Sequence, residues 1–147
     1  MTKVTASLIP VNETFENASD ADIAEIERLS AARLPGPYRE FLKQFGNSMF
    51  NSDAVVTSEL GTELPIMIFF GGGRGEGSVV DELLLHADLE GRQLIPIAND
   101  MMNNRFFLDC AQGGRVRFLD YTTRGPRAED VCDSFESLWD RIKLLAE

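Results

Sequence analysis

Two prolines and a glycine in the first third of the chain separate two short helices and fix where the chain turns. In the segment 34–47, which reads LPGPYREFLKQFGN, Pro35 disfavours a helical conformation at the residue before it, so an earlier helix ends there. Pro37 fits the first turn of the next helix, and Gly46 is predicted to close that helix in a left-handed cap. Between these signals apolar side chains recur at helical spacing, which predicts one buried stripe. The stripe is Tyr38, Phe41, Leu42 and Phe45.

The residues before this segment carry the start signals of a first helix, from about residue 20 to residue 32. Ser19 precedes the apolar positions and Asp22 stands three residues later, which is the spacing of a capping box. Further upstream, residues 4–11 alternate weakly between apolar and polar side chains. This pattern is compatible with an edge strand.

The middle of the chain reads as strands. Residues 54–57 and 64–70 are apolar runs of strand length, and the second is predicted to lie centrally in a sheet, covered on both faces. Residues 94–98, 104–108 and 115–121 are separated by pairs of Asn and Gly, which favour turns. These three segments predict an antiparallel meander. Acidic residues at their ends are expected to accept backbone hydrogen bonds, namely Asp100, Asp109 and Asp120.

A final amphipathic helix is expected to cover one face of the meander. Asp133 and Glu136 have capping-box spacing, and the apolar residues that follow recur with the helical period. They are Phe135, Leu138, Trp139, Ile142 and Leu145. The chain of 147 residues has the size of one ordinary domain, and we expect a single domain over residues 1–147. The predicted class is α+β, with a central, mostly antiparallel sheet flanked by two N-terminal helices and one C-terminal helix.

Four pieces of the sequence, taken in order, resemble the SUKH superfamily, which includes yeast cell-wall-assembly regulators and many bacterial immunity proteins. The first is the helical segment 23–29, and the second is the LPxxYRxFL pattern of residues 34–42. The third is the strand pair that runs from IPIAND at 95–100 to FFLD at 106–109. The fourth is SFESL at 134–138.

The resemblance implies an α+β fold that works by binding, without a cofactor or a catalytic constellation. It also implies a protein partner, and in bacteria the commonest such partner is a toxin domain, often a nuclease, that the protein neutralises. The leading hypothesis is therefore a non-enzymatic immunity-type protein. The alternative is a regulatory protein-interaction module that acts within its own cell.

Charge is concentrated in the middle third of the chain. The formal net charge is −10, and residues 53–90 contain eight acids against one base, which gives −7 for that segment. The residues predicted to contact a partner are Glu59, Glu63, Glu76, Asp81, Glu82, Asp88 and Glu90. An acidic face suits a partner with a basic surface, whereas direct binding of nucleic acid is disfavoured because phosphate contacts need Lys and Arg. The competing interpretation is a solvated acidic surface with no binding role.

Two segments invite a chemical interpretation. The glycine-rich stretch 71–77 has no G-x-x-x-x-G-K-[ST] or G-x-G-x-x-G match, which favours a mobile loop or a sharp chain reversal over a phosphate site. Downstream, four side chains with acid–base and metal-ligand chemistry lie close in sequence, and they define a third hypothesis, a metal-assisted hydrolase. These four are Asp81, Glu82, His86 and Asp88.

The remaining features favour a structural role and a reducing compartment. Cys110 and Cys132 lack a C-x-x-C spacing and are expected to be buried, inert thiols. Trp139 is expected in the core, while Met101 and Met102 are expected in a turn as adaptable contact residues. No apolar run approaches the length of a membrane span, and residues 1–5 lack the apolar core of a secretory signal. We therefore expect a cytoplasmic protein.

Overall fold

A computed structural model describes residues 7–11, 17–86, 91–122 and 127–145. Within these residues the chain forms four α-helices and an eight-stranded antiparallel sheet, which confirms the α+β class. None of the helices in the described ranges combines the length and the apolarity needed to cross a membrane.

The two N-terminal helices form where the sequence predicts them. Helix α1 spans Asp20–Ser30, and its capping box is present because the Asp22 N–H donates to Ser19 Oγ at 3.1 Å and the Ser19 N–H donates to Asp22 Oδ2 at 2.9 Å. Helix α2 spans Gly36–Gln44 with a proline in its first turn. The predicted left-handed cap at Gly46 is wrong, because Phe45 is already extended at φ −122° and leads directly into a strand.

The sheet follows the order of the chain. Its strands are β1 (Leu8–Pro10), β2 (Ser48–Thr57), β3 (Glu63–Phe69), β4 (Leu94–Asn99), β5 (Arg105–Asp109), β6 (Arg115–Asp120), β7 (Arg127–Cys132) and β8 (Ile142–Leu144). Neighbouring strands run from β1 to β7, and β8 pairs with β2 on the same edge as β1. Helix α3 (Val79–Leu85) lies between β3 and β4 in the chain and packs against α1 and β4.

The predicted meander is confirmed as β4, β5 and β6, with Phe106 opposite Phe118 in its register. Strand β5 is buried along its whole length. Strand β3 is covered differently from the prediction, because Leu64 and Ile66 are buried while Pro65 between them is exposed. The central position is confirmed, since β3 lies between β2 and β4, but cover on both faces was the wrong interpretation of this apolar run.

The C-terminal helix is much shorter than its apolar repeat indicates. Helix α4 covers only Phe135–Leu138, and a 3₁₀ turn at Trp139–Arg141 leads into β8. Strand pairing overrides the helical period here, because Ile142–Leu144 satisfies its backbone groups on the free edge of β2. The cap is also formed by Ser134 and Ser137 rather than by the predicted pair at 133 and 136.

The helices and the sheet meet in one cluster of aromatic rings. Phe41 on α2 lies 5.4 Å from Phe69 on β3 and 5.2 Å from Phe135 on α4, measured between ring centroids. Trp139 is 2% exposed and stacks on Phe69 at 5.1 Å, which confirms its expected core position. The stripe predicted on α2 is thus the centre of the core.

Candidate functional site

The structure separates the predicted contact residues into two groups. Glu59 and Glu63 lie on the hairpin that joins β2 and β3. Glu76 lies in the glycine-rich loop, and Asp81 and Glu82 lie in the first turn of α3. Asp88 and Glu90 fall outside the described residues.

Glu59 belongs to a network of ion pairs at the tip of the hairpin. Arg115 Nη1 lies 2.7 Å from Glu59 Oε1, and Arg115 Nη2 lies 3.0 Å from Asp133 Oδ1. The neighbouring Glu59 carboxylate raises the pKa of the Arg115 guanidinium. The Glu59 N–H also donates to the Asp130 carbonyl oxygen at 3.4 Å, which ties the hairpin to β7. Glu59 therefore helps to hold the hairpin against β6 and β7 as well as presenting charge.

Within the acidic segment 53–90, three exposed acids have no ion pair with any residue that the structure describes. They are Asp53, Glu63 and Glu76. Their charges are uncompensated locally, which makes them the most available for a basic partner.

Asp81 is half-buried beside Arg74, whose Nε lies 2.6 Å from Asp81 Oδ1. The hydrogen bond from Arg74 lowers the pKa of Asp81, and further donors come from the Gly75 backbone and Ser78. Asp81 therefore stays ionised throughout the neutral range. Its charge is partly balanced by Arg74, so it contributes less to the surface field than Glu76 does.

Glu82 is buried, and the expectation that it lies on a solvated acidic surface is wrong. Ser78 caps α3, and the turn that follows directs Val79, Leu83 and the Glu82 side chain inward. There the Glu82 carboxylate pairs with Arg105 of β5, which is itself 7% exposed. Because the helix directs its side chain inward, Glu82 is not accessible to a partner protein.

The metal-assisted hydrolase receives no support from the described part of the chain. Across 7–11, 17–86, 91–122 and 127–145, no three His, Cys, Asp or Glu side chains come together in a group that could hold a metal ion. Asp81 is committed to Arg74 and Glu82 to Arg105, while Asp88 is outside the described residues. His86 Nε2 lies 3.8 Å from Glu82 Oε1 and stacks on Tyr121.

The glycine-rich segment is a closed loop, as the sharp-reversal interpretation predicts. The Gly71 N–H donates to the Gly77 carbonyl oxygen at 2.9 Å, and the Val79 N–H donates to the Gly71 carbonyl oxygen at 2.9 Å. Gly77 has φ +89°, and a Cβ there would collide with the Asn47 side chain. Only glycine satisfies both requirements at this position.

A cleft of about 310 Å³ lies between this loop and the turn that joins β4 to β5. Asn47, Glu76, Glu82 and Arg105 contribute to its lining together with the apolar side chains of Ile68, Phe70 and Val11. Sequence reasoning missed Asn47 and Arg105. Arg105 could have been noticed because it is a charged residue next to the apolar run of β5, a position that indicates a buried charge with a partner.

A second, apolar groove of about 460 Å³ lies on β2 and β3 and includes Met49, Met67, Met101 and Leu145. Met101 and Met102 are 73% and 67% exposed in the turn after β4, which confirms their predicted placement in a turn. Flexible, polarisable methionines are frequent at protein-binding surfaces.

Both cysteines are free thiols with suppressed reactivity. Cys132 is buried and Cys110 is partly exposed. Burial, together with the Asp109 charge, raises the pKa of Cys110 to about 11, and burial also raises the pKa of Cys132. Since only the thiolate is nucleophilic, both are protonated and unreactive at neutral pH.

We therefore expect alkylation of Cys110 by iodoacetamide to accelerate about tenfold per pH unit from about pH 7 to about pH 10, whereas the rate for a free thiol levels off above about pH 9.5. Mass spectrometry of intact protein after timed labelling measures this rate. The Cys110→Ser variant is the control and should remain unlabelled while folded. A rate that is half-maximal near the ordinary thiol pKa of about 8.5 would contradict the assignment.

These features define an α+β protein with a net negative charge, whose described residues form a polar cleft and an apolar groove. The chain belongs to the SMI1 / KNR4 family (SUKH-1), because the model of that family matches residues 17–141. Comparison with curated proteins and with solved structures found no match. Membership confirms the resemblance and supports an immunity-type or interaction module in general.

Proposed function

We propose that this protein is a non-enzymatic, cytoplasmic immunity-type protein that binds and neutralises a bacterial toxin domain. The observation that carries the proposal is membership of the SMI1 / KNR4 family over residues 17–141. A net charge of −10 supports a partner with a basic surface, such as a nuclease whose groove normally receives nucleic acid. Neutralisation then results from occupying or flanking that groove.

The contact residues that we propose are Glu63 on the hairpin and Glu76 and Asp81 at the glycine-rich loop and α3, with Asp88 and Glu90 as further candidates. Glu59 lies close to Glu63 in sequence, but the ion pair with Arg115 balances much of its charge. Complementary charge raises the encounter rate of two proteins by about 10- to 1,000-fold, which matters when a toxin must be captured before it acts. Nuclease–immunity protein pairs reach the tightest non-covalent affinities known, so this class of interaction can be strong enough for stoichiometric protection.

Co-expression with each toxin domain encoded beside the gene tests the proposal. We expect one of these toxins to co-purify with the protein in a stable complex and its toxicity to be abolished. Protection without any change in toxin abundance would separate neutralisation from degradation. If no neighbouring toxin binds and none is neutralised, the immunity function is wrong and the regulatory interaction module is favoured.

A further inference from the structure

We propose that the polar cleft beside the glycine-rich loop is a socket for a lysine or arginine side chain of the partner protein. This inference rests on the proposed function and specifies which chemistry of the partner this chain recognises. Glu76 is the predicted contact residue that both lines this cleft and is exposed. The socket therefore has a carboxylate available to an incoming cation.

The walls of the cleft suit a long basic side chain. Ile68, Phe70 and Val11 provide apolar surface against which the methylene stem of lysine or arginine can pack. Asn47 forms part of the wall, and its buried Oδ1 has no hydrogen-bond donor among the described residues. An incoming N–H group is the chemistry that this wall lacks.

The charge inside the cleft favours a cation over an anion. Arg105 lines the cleft but directs Nε and Nη2 to Glu82 and Nη1 to the Asn103 carbonyl oxygen. The Arg105–Glu82 pair is therefore internally satisfied and nearly neutral. Glu76 remains as the uncompensated charge, so a phosphate or carboxylate would be repelled while an ammonium or guanidinium group would be attracted.

The dimensions also favour a side chain over a larger ligand. The volume of about 310 Å³ lies at the lower limit of small-molecule pockets, which span about 300–1,000 Å³. The Gly71–Gly77 closure and the turn after β4 fix the two sides of the cleft before any partner arrives. Asp100 braces that turn by accepting from the Met102 and Asn104 N–H groups, both at 2.8 Å.

Amide resonances of the isotopically labelled full chain, titrated with N-acetyl-arginine amide and N-acetyl-lysine amide, test the proposal without any toxin. We expect saturable shifts at Asn47, Glu76 and Gly77 with a weak Kd of about 10 mM, because one side chain supplies few contacts. N-acetyl-citrulline amide, the uncharged isostere of arginine, is the control and should cause no saturable shift. Equal shifts with citrulline, or no saturation with either cation up to about 100 mM, would overturn the proposal.

Variants assign the binding to the socket. Asn47→Leu should weaken the binding of arginine amide about tenfold by removing the acceptor, and Asn47→Asp should tighten it. Glu76→Gln should weaken it about two- to fivefold, since the carboxylate is exposed. Glu40→Gln, an exposed acid on α2, is the matched control and should leave the Kd unchanged. Since Glu76→Gln touches no core contact, it keeps the test decisive if an Asn47 variant fails to fold.

The outcome also separates this inference from the proposed function. If a toxin is neutralised while Asn47→Leu and Glu76→Gln leave its affinity unchanged, the socket is wrong and the immunity function stands. If arginine amide binds as described but no toxin does, the immunity function is wrong and the recognition chemistry of the cleft is supported.

Discussion

Replacing Glu82 by glutamine is expected to lower the free energy of unfolding by about 3–5 kcal/mol, because it leaves the buried Arg105 guanidinium without its counter-charge. Arg105 keeps its contact with the Asn103 carbonyl oxygen, but a carbonyl cannot replace a carboxylate in a site that is 7% exposed. Urea denaturation followed by tryptophan fluorescence measures the change, since Trp139 is buried in the core.

The double variant Glu82→Leu/Arg105→Met isolates the cause of this loss. Removing both charges removes the desolvation penalty together with the attraction, so the double variant should recover most of the lost stability. The exposed pair Arg28–Glu25 provides the control, and Glu25→Gln is expected to leave the denaturation midpoint unchanged. A double variant that is as unstable as Glu82→Gln would show that packing, rather than charge, accounts for the loss.

Local signals in the sequence predicted the helical half of the fold well. The Ser19–Asp22 capping box and the proline in the first turn of α2 act within a few residues, so their geometry follows from the sequence alone. The stripe on α2 also predicted the core, because a period of 3.6 residues places Tyr38, Phe41 and Leu42 on one buried face.

Long-range pairing explains where sequence reasoning failed. Residues 142–144 repeat with a helical period, but the free edge of β2 draws them into a strand, and no local pattern reports that edge. Strand β7 was missed because three of its residues 127–130 are charged and the segment is mostly exposed. Glu82 was placed on the surface because composition counts charges without showing which face of α3 carries them.

The acidic segment that contributes to the candidate site could be predicted from the sequence, but the set of residues that line the cleft could not. Counting charges identified Glu63, Glu76 and Asp81 as candidates, since acidic residues usually remain exposed. The cleft depends on residues far apart in sequence, because Asn47, Glu76 and Arg105 meet only when the loop after β3 closes over the sheet. No pattern in a single sequence indicates that residues so far apart along the chain lie close together in space.

Neutralising three of the proposed contact acids is expected to slow capture of the cognate toxin about tenfold at low ionic strength while changing the dissociation rate much less. The variant Glu63→Gln/Glu76→Gln/Asp81→Asn removes charge from the proposed contact surface. The matched control, Glu40→Gln/Glu136→Gln/Asp140→Asn, removes the same charge from exposed positions on α2, α4 and the 3₁₀ turn. Both variants change the net charge equally, so a difference between them reports where the charge lies.

The association rate constant of the purified protein with its toxin, measured by stopped flow across a range of salt concentrations, tests most directly whether an acidic face docks a basic partner. We expect the variant Glu63→Gln/Glu76→Gln/Asp81→Asn to associate about tenfold more slowly than the control variant at low salt, and we expect the two rates to converge as salt screens the interaction. Equal association rates for this variant and the control variant at every salt concentration would contradict docking through an acidic face.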